Sequence, residues 1–161
     1  MLELIKKKYC GTLSRAEAGP LFPDPPPPPI LSFDHVQTRQ ELNGLVKWIV
    51  SFPIEGVSEN WLFATGENML LGAILFLLWN IAPDEEQTLG MARVILSKIQ
   101  ASIHKKESVC AVDMLFDKWR NKKWNIVAVE NWDDIRALEL DAQQEIIVRL
   151  QARINMIKTY T

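Results

Sequence analysis

Met69-Leu70-Leu71-Gly72-Ala73-Ile74-Leu75-Phe76-Leu77-Leu78-Trp79 is the longest apolar run in the chain, and how it is read decides the fold. A helix that crosses a membrane needs about 20 such residues. This run is shorter, stopped by Glu67 and Asn68 on one side and by Asn80 and Pro83 on the other. It reads as the buried central helix of a helical domain, apolar nearly all round because neighbours cover every side. Ser58 is placed to cap this helix, which should run through Asn80. Gly72 and Ala73 would let a neighbouring helix approach closely.

Working outward, the flanks carry helix punctuation. Thr38-Arg39-Gln40-Glu41 has the form of a capping box, followed by a stripe of Leu42, Leu45, Val46 and Ile49 and a stop at Pro53. After Pro83-Asp84-Glu85-Glu86, Thr88 should cap a helix whose stripe is Ala92, Ile95, Leu96, Ile99 and Ile103, with Lys105 and Lys106 at the end that favours cations. Ser108 should open a further helix that turns Val112, Leu115, Phe116 and Trp119 inward, and Arg120-Asn121-Lys122-Lys123 should form a turn. Ile126 to Val129 have strand propensity, but a lone strand has nothing to pair with, so helix is the reading. Ile147, Leu150, Ile154 and Ile157 repeat at helical spacing, where Glu145–Arg149 is a favourable pair and Arg149–Arg153 an unfavourable one. The expectation is all-α: a compact bundle of about five to seven helices over residues 38–161.

Residues 1–37 should be an extended, proline-rich N-terminal arm. Seven of the nine prolines lie from Pro20 to Pro29, and such a run has few backbone donors and fixed φ, which favours polyproline II. It suits a stiff connector better than a ligand for a proline-binding module, since no basic residue flanks it. The opening Met1-Leu2-Glu3-Leu4-Ile5-Lys6-Lys7-Lys8 lacks the order of a secretory signal. Cys10 and Cys110 fit no metal or redox spacing and read as reduced thiols.

Catalytic signatures are missing from the sequence. It has no phosphate loop, dinucleotide fingerprint or nucleophile elbow. His35 and His104 stand in different segments without matching ligands, and Glu85-Glu86 and Asp133-Asp134 read as solvated surface pairs. No metal or cofactor is expected. The net charge of −2 argues against a general nucleic-acid binder but allows a local basic patch. That patch is Lys118-Trp119-Arg120-Asn121-Lys122-Lys123-Trp124. Lys118, Arg120, Lys122 and Lys123 can neutralise phosphates and Trp124 can stack on a base, which makes these five the candidate contact for single-stranded DNA or a partner. Trp119 falls on the apolar stripe, which favours reading the two tryptophans as core residues bracketing a basic turn.

Several short motifs share an order with a known family. Leu62-Phe63 stands at an aromatic pair, Gly66-Glu67-Asn68-Met69-Leu70 at an A-E-x-L-L helix, Ala82-Pro83-Asp84-Glu85-Glu86-Gln87 at A-P-x-E-E-Q, and Val112-Asp113-Met114-Leu115-Phe116 at V-D-x-[LM]-F. Ser32 to Val36 sits at the family's N-P-[FL]-D-x-I lead-in. Ala128-Val129 through Ile135 falls at the following helix, and Ala152-Arg153-Ile154 at a closing A-R-L. Over residues 32–155 the chain thus resembles the all-α domain of conjugative type IV secretion coupling proteins, in the form carried by mobile elements of Gram-positive bacteria. Asp141 to Ile147 lacks the lysine, threonine and serine of the family's A-x-K-T-x-x-S-I stretch, so their role is not carried over.

The resemblance implies a cytoplasmic recognition domain, placed at the entrance of a hexameric, membrane-anchored DNA-pumping ATPase. Its partners would be the relaxase, accessory proteins and single-stranded DNA of the transfer complex. It would not be an enzyme by itself, since the ATPase part and the membrane helices are not in this sequence. Alone it should be a monomer, without direct membrane insertion. A second functional class fits the same composition: a standalone helical adaptor that binds proteins and has no part in DNA transfer.

Overall fold

The computed structural model describes residues 32–57 and 59–160. The proline run, Cys10 and Ser58 lie outside them. Six helices follow one another among the described residues: α1 Arg39–Val50, α2 Trp61–Ile81, α3 Leu89–His104, α4 Ala111–Lys122, α5 Ile126–Arg136 and α6 Leu140–Tyr160. A 3-10 turn, Asp84–Glu86, joins α2 to α3. The all-α expectation holds, including a helix at Ile126–Val129.

α2 is the axis of the bundle and packs against α1, α3, α5 and α6. From Leu70 to Ala82 every residue except Gly72 is buried. Although 21 residues of this composition could also cross a membrane, here the apolar half is enclosed by other helices. Its other half is different: Trp61 and Leu62 are exposed. The helix starts at Trp61, where the Asn60 side chain accepts from the Leu62 amide at 3.0 Å, and not at Ser58. Asn60 stands two residues nearer the apolar stripe and does the same chemistry. Gly72 also departs from expectation. A Cβ there would meet nothing within 4 Å, whereas one on Gly66 would fall 2.5 Å from the Ile146 side chain. Gly66, not Gly72, is where α6 approaches α2 closely.

Local signals elsewhere place the other helices. Thr38 and Glu41 form the reciprocal box that opens α1, and Thr88 accepts from the Met91 amide at 3.1 Å to open α3. α4 begins at Ala111 rather than Ser108, because Asp113 reaches back to the Cys110 amide and fixes the start there. Among the described residues, the segment before Thr38 also takes part in the packing. Phe33 and Val36 are core residues, the Phe33 amide donates to the Gln87 carbonyl at 2.9 Å, and the Trp79 indole donates to the Val36 carbonyl at 2.9 Å. Aromatic rings then tie α2, α4 and α5 together: Phe116 stacks on Trp132 at 4.9 Å, and Trp119 meets both Phe116 and Phe76 edge-on.

One carboxylate crosses this core. Glu67, which closes the apolar run in sequence, is fully buried in α2 and holds Arg153 of α6 through two bonds, of 2.8 and 3.1 Å. Arg153 also donates to the Phe52 carbonyl beyond α1. The expected clash of Arg149 with Arg153 is resolved by separate partners. Arg149 takes Glu145 at 2.9 Å and lies 4.6 Å from the Phe63 ring centroid.

Candidate partner-binding surface

The basic run belongs to the end of α4. The helix continues through Lys122 and closes on Lys123, whose φ of 57° is left-handed. The Trp124 amide donates to the Trp119 carbonyl at 2.9 Å and the Lys123 amide to the Arg120 carbonyl at 3.1 Å. This is the helix-ending motif that usually has glycine at the left-handed position. Lysine takes that place here, and Asn125, at φ 50°, takes the next one. The turn is therefore Lys123–Asn125, later than the sequence suggested, because no glycine marks it. Lys106 ends α3 in the same way at φ 55°.

This geometry separates the five candidate residues. Lys118, Lys122 and Lys123 point outward and are exposed. Arg120 is exposed too, but its guanidinium lies between the carboxylates of Asp117 and Asp133. Trp124 is half-buried against the core, with the Lys122 ammonium 4.7 Å from its ring centroid. That contact covers a ring face on which a base would stack. Trp119 is core, at 1% exposure. Asp133 is exposed, as expected, and also pairs with Arg120. Glu86 is buried, not solvated, because the 3-10 turn folds it beneath the chain.

Beside this run lies a polar cluster that the sequence did not mark as a site. Asp113 accepts from the Cys110 amide at 2.8 Å, from the Trp132 indole at 2.9 Å, and from Arg136 at 3.1 and 3.0 Å. Arg136 also donates to Gln143 at 3.0 Å, and Gln143 in turn donates to the Leu138 carbonyl at 2.8 Å. One carboxylate thereby pins the starts of α4 and α6 to the end of α5. Burial pushes the Asp113 carboxyl up, but the Cys110 amide and the Arg136 guanidinium together outweigh it and hold it below its ordinary value. Burial pushes the neighbouring Cys110 thiol up. The spacing of Cys110 and Asp113 is a helix-start signal readable from sequence. The contacts from Asp113 to Arg136, 23 residues away, carry no local signal.

This cluster forms the inner wall of a cleft of about 560 Å³, with Lys106, Glu107, Val109, Arg120 and Leu140 around it. Val109 and Leu140 are more than half exposed, and Met114 stands exposed on α4. The cleft offers apolar rim contacts around the paired charges of Asp113 with Arg136 and Asp117 with Arg120. Among the described residues, no group of three or more His, Cys, Asp or Glu side chains is placed to hold a metal ion. Comparison with known proteins found no matching family model, no matching curated protein and no matching solved structure.

Proposed function

We propose that this chain is the substrate-recognition domain of a conjugative coupling protein, receiving a relaxase, an accessory protein or the transferred DNA at the cytoplasmic entrance of the secretion channel. The reading rests on the ordered motifs. One observation supports it: the motif residues are those that the fold ties together. Glu67 of the first helical motif holds Arg153 of the last. Gln87 of Ala82–Gln87 donates to the Ala82 carbonyl at 3.1 Å. Asp113 of Val112–Phe116 ties the start of α4 to α5. Motif residues used this way specify a scaffold and leave its outer faces to carry recognition.

The test is a pair of titrations at near-physiological salt, one with the relaxase and accessory protein of a single mobile element, the other with single-stranded DNA. Binding of the protein alone makes the domain a protein receptor and leaves the basic run as surface. Should DNA bind, replacing Arg120, Lys122 and Lys123 by alanine should weaken it and flatten its salt dependence, since log K scales with the phosphates neutralised. Silence in both titrations overturns the reading in favour of the helical adaptor.

A further inference from the structure

A second groove, of about 380 Å³, runs between α1 and α5 with α2 as its floor. Its walls follow from helical periodicity. Arg39, Asn43 and Lys47 recur every fourth residue along α1 and line one side. Asn68, Gly72 and Phe76 do the same along α2. Val127, Ala128 and Asn131 supply the wall from α5. The groove is open at position 72, which carries no side chain: α1 and α5 stand on either side of it, and a Cβ there would meet nothing within 4 Å. Glycine inside a helix costs about 1 kcal/mol relative to alanine, and no close packing at Gly72 offsets that cost.

The charge in this groove is one-sided. Two cations and three carboxamides line it, and no carboxylate does. Neither Arg39 nor Lys47 pairs with a carboxylate among the described residues. In the cleft beside α4, by contrast, Arg120 and Arg136 both have acidic partners. We infer that the α1–α5 groove binds an acidic peptide segment of a partner protein, with an aliphatic side chain seated over Gly72 and carboxylates on Arg39 and Lys47. The two cations stand eight residues apart on one helix, about 12 Å along its axis. Four residues of extended peptide span roughly that distance. Val46, Val127 and Ala128 give the apolar anchor its walls, and Asn43, Asn68 and Asn131 offer amides to the peptide backbone.

Nucleic acid fits the groove less well. Two cations neutralise few phosphates, and affinity for a strand grows with that number. The one aromatic ring, Phe76, is buried at 5% exposure with the Arg39 guanidinium 5.2 Å from its centroid, so no base platform is open. The inference stands on the groove's lining and holds whichever protein carries the segment.

Fluorescence anisotropy with three labelled probes tests it: a peptide with two glutamates on each side of a leucine, the same peptide with lysines for glutamates, and oligothymidylate. The acidic peptide should bind and the lysine peptide should not. Replacing Arg39 and Lys47 together by glutamine should weaken binding about tenfold or more, a loss of about 1.4 kcal/mol or more. Gly72→Leu should abolish it by filling the groove, while Gly72→Ala should retain it, with helical circular dichroism confirming that each variant folds. If Gly72→Leu fails to fold, the glutamine pair decides. No binding of the acidic peptide, or binding indifferent to these changes, overturns the inference. Oligothymidylate binding that the glutamine pair removes overturns it too, and assigns the groove to nucleic acid.

Discussion

Two arginine–carboxylate centres hold opposite regions of this bundle, and they differ chiefly in depth. Glu67 and Arg153 are enclosed, at 0% and 1% side-chain exposure. Asp113 and Arg136 sit near the surface, at 17% and 16%. The deep pair joins the first half of α2 to α6 and reaches the Phe52 carbonyl. The shallow one gathers the ends of α4, α5 and α6 around a cleft. The same chemistry therefore does different work. Deep in the core, desolvation cancels much of the attraction, so the pair specifies which helices meet more than it stabilises them. Near the surface, residual hydration lowers the cost of burial, and the pair also caps a helix and responds to solvent.

The comparison is broken most severely by removing one deep partner. Glu67→Ala leaves the buried Arg153 guanidinium with only the exposed Glu59 carboxylate, 3.8 Å away, and the loss should be about 3 to 5 kcal/mol of unfolding free energy. Replacing both residues by apolar ones of similar volume, as in Glu67→Leu with Arg153→Met, should recover most of that loss. Urea denaturation of the two variants beside the parent measures both. A double variant as unstable as the single one would mean that the pair supplies net stability and not only specificity.

Asp113→Ala comes next. It strips acceptors from the Cys110 amide, the Trp132 indole and Arg136 at once, and should cost about 2 to 3 kcal/mol. Its pH signature distinguishes it. The folded-state pKa is held below the ordinary aspartate value, so the carboxylate contributes stability that is fully present above that ordinary value. The contribution falls away as pH drops through the lower, folded-state value. Between pH 5 and 7 the parent's stability should carry no slope from this group, and the acid-side slope should be shallower in Asp113→Asn. An unchanged acid-side slope would show that other carboxylates set it.

How much of this was legible in the sequence depends on distance along the chain. The central helix, the Thr38 and Thr88 caps and the inward stripe of α3 are written within a few neighbouring residues, and the fold follows them. Glu67 reads locally as the end of an apolar run. Its meaning lies 86 residues away, in Arg153. The end of α4 was misplaced because lysine and asparagine took left-handed positions where glycine would have announced a turn. The basic run drew attention by its density, yet the Asp133 that answers Arg120 sits on the next helix. Arg39 and Lys47, by contrast, are spread through an ordinary amphipathic helix. Only the placement of α1 and α5 on either side of Gly72 turns them into a groove.

The smallest effect is expected at the exposed end of the same series. Arg120 bonds Asp117 on its own helix and Asp133 on α5, but all three side chains are 42 to 49% exposed. Water and salt screen such a pair, and ordering a long side chain opposes it. Arg120→Ala should therefore cost no more than about 1 kcal/mol, and less in high salt. A loss comparable to that of Asp113→Ala would mean that the α4–α5 junction depends on this bridge. Depth would then not rank the three arginines, and the contrast between the deep and shallow centres would have to rest on what each holds together.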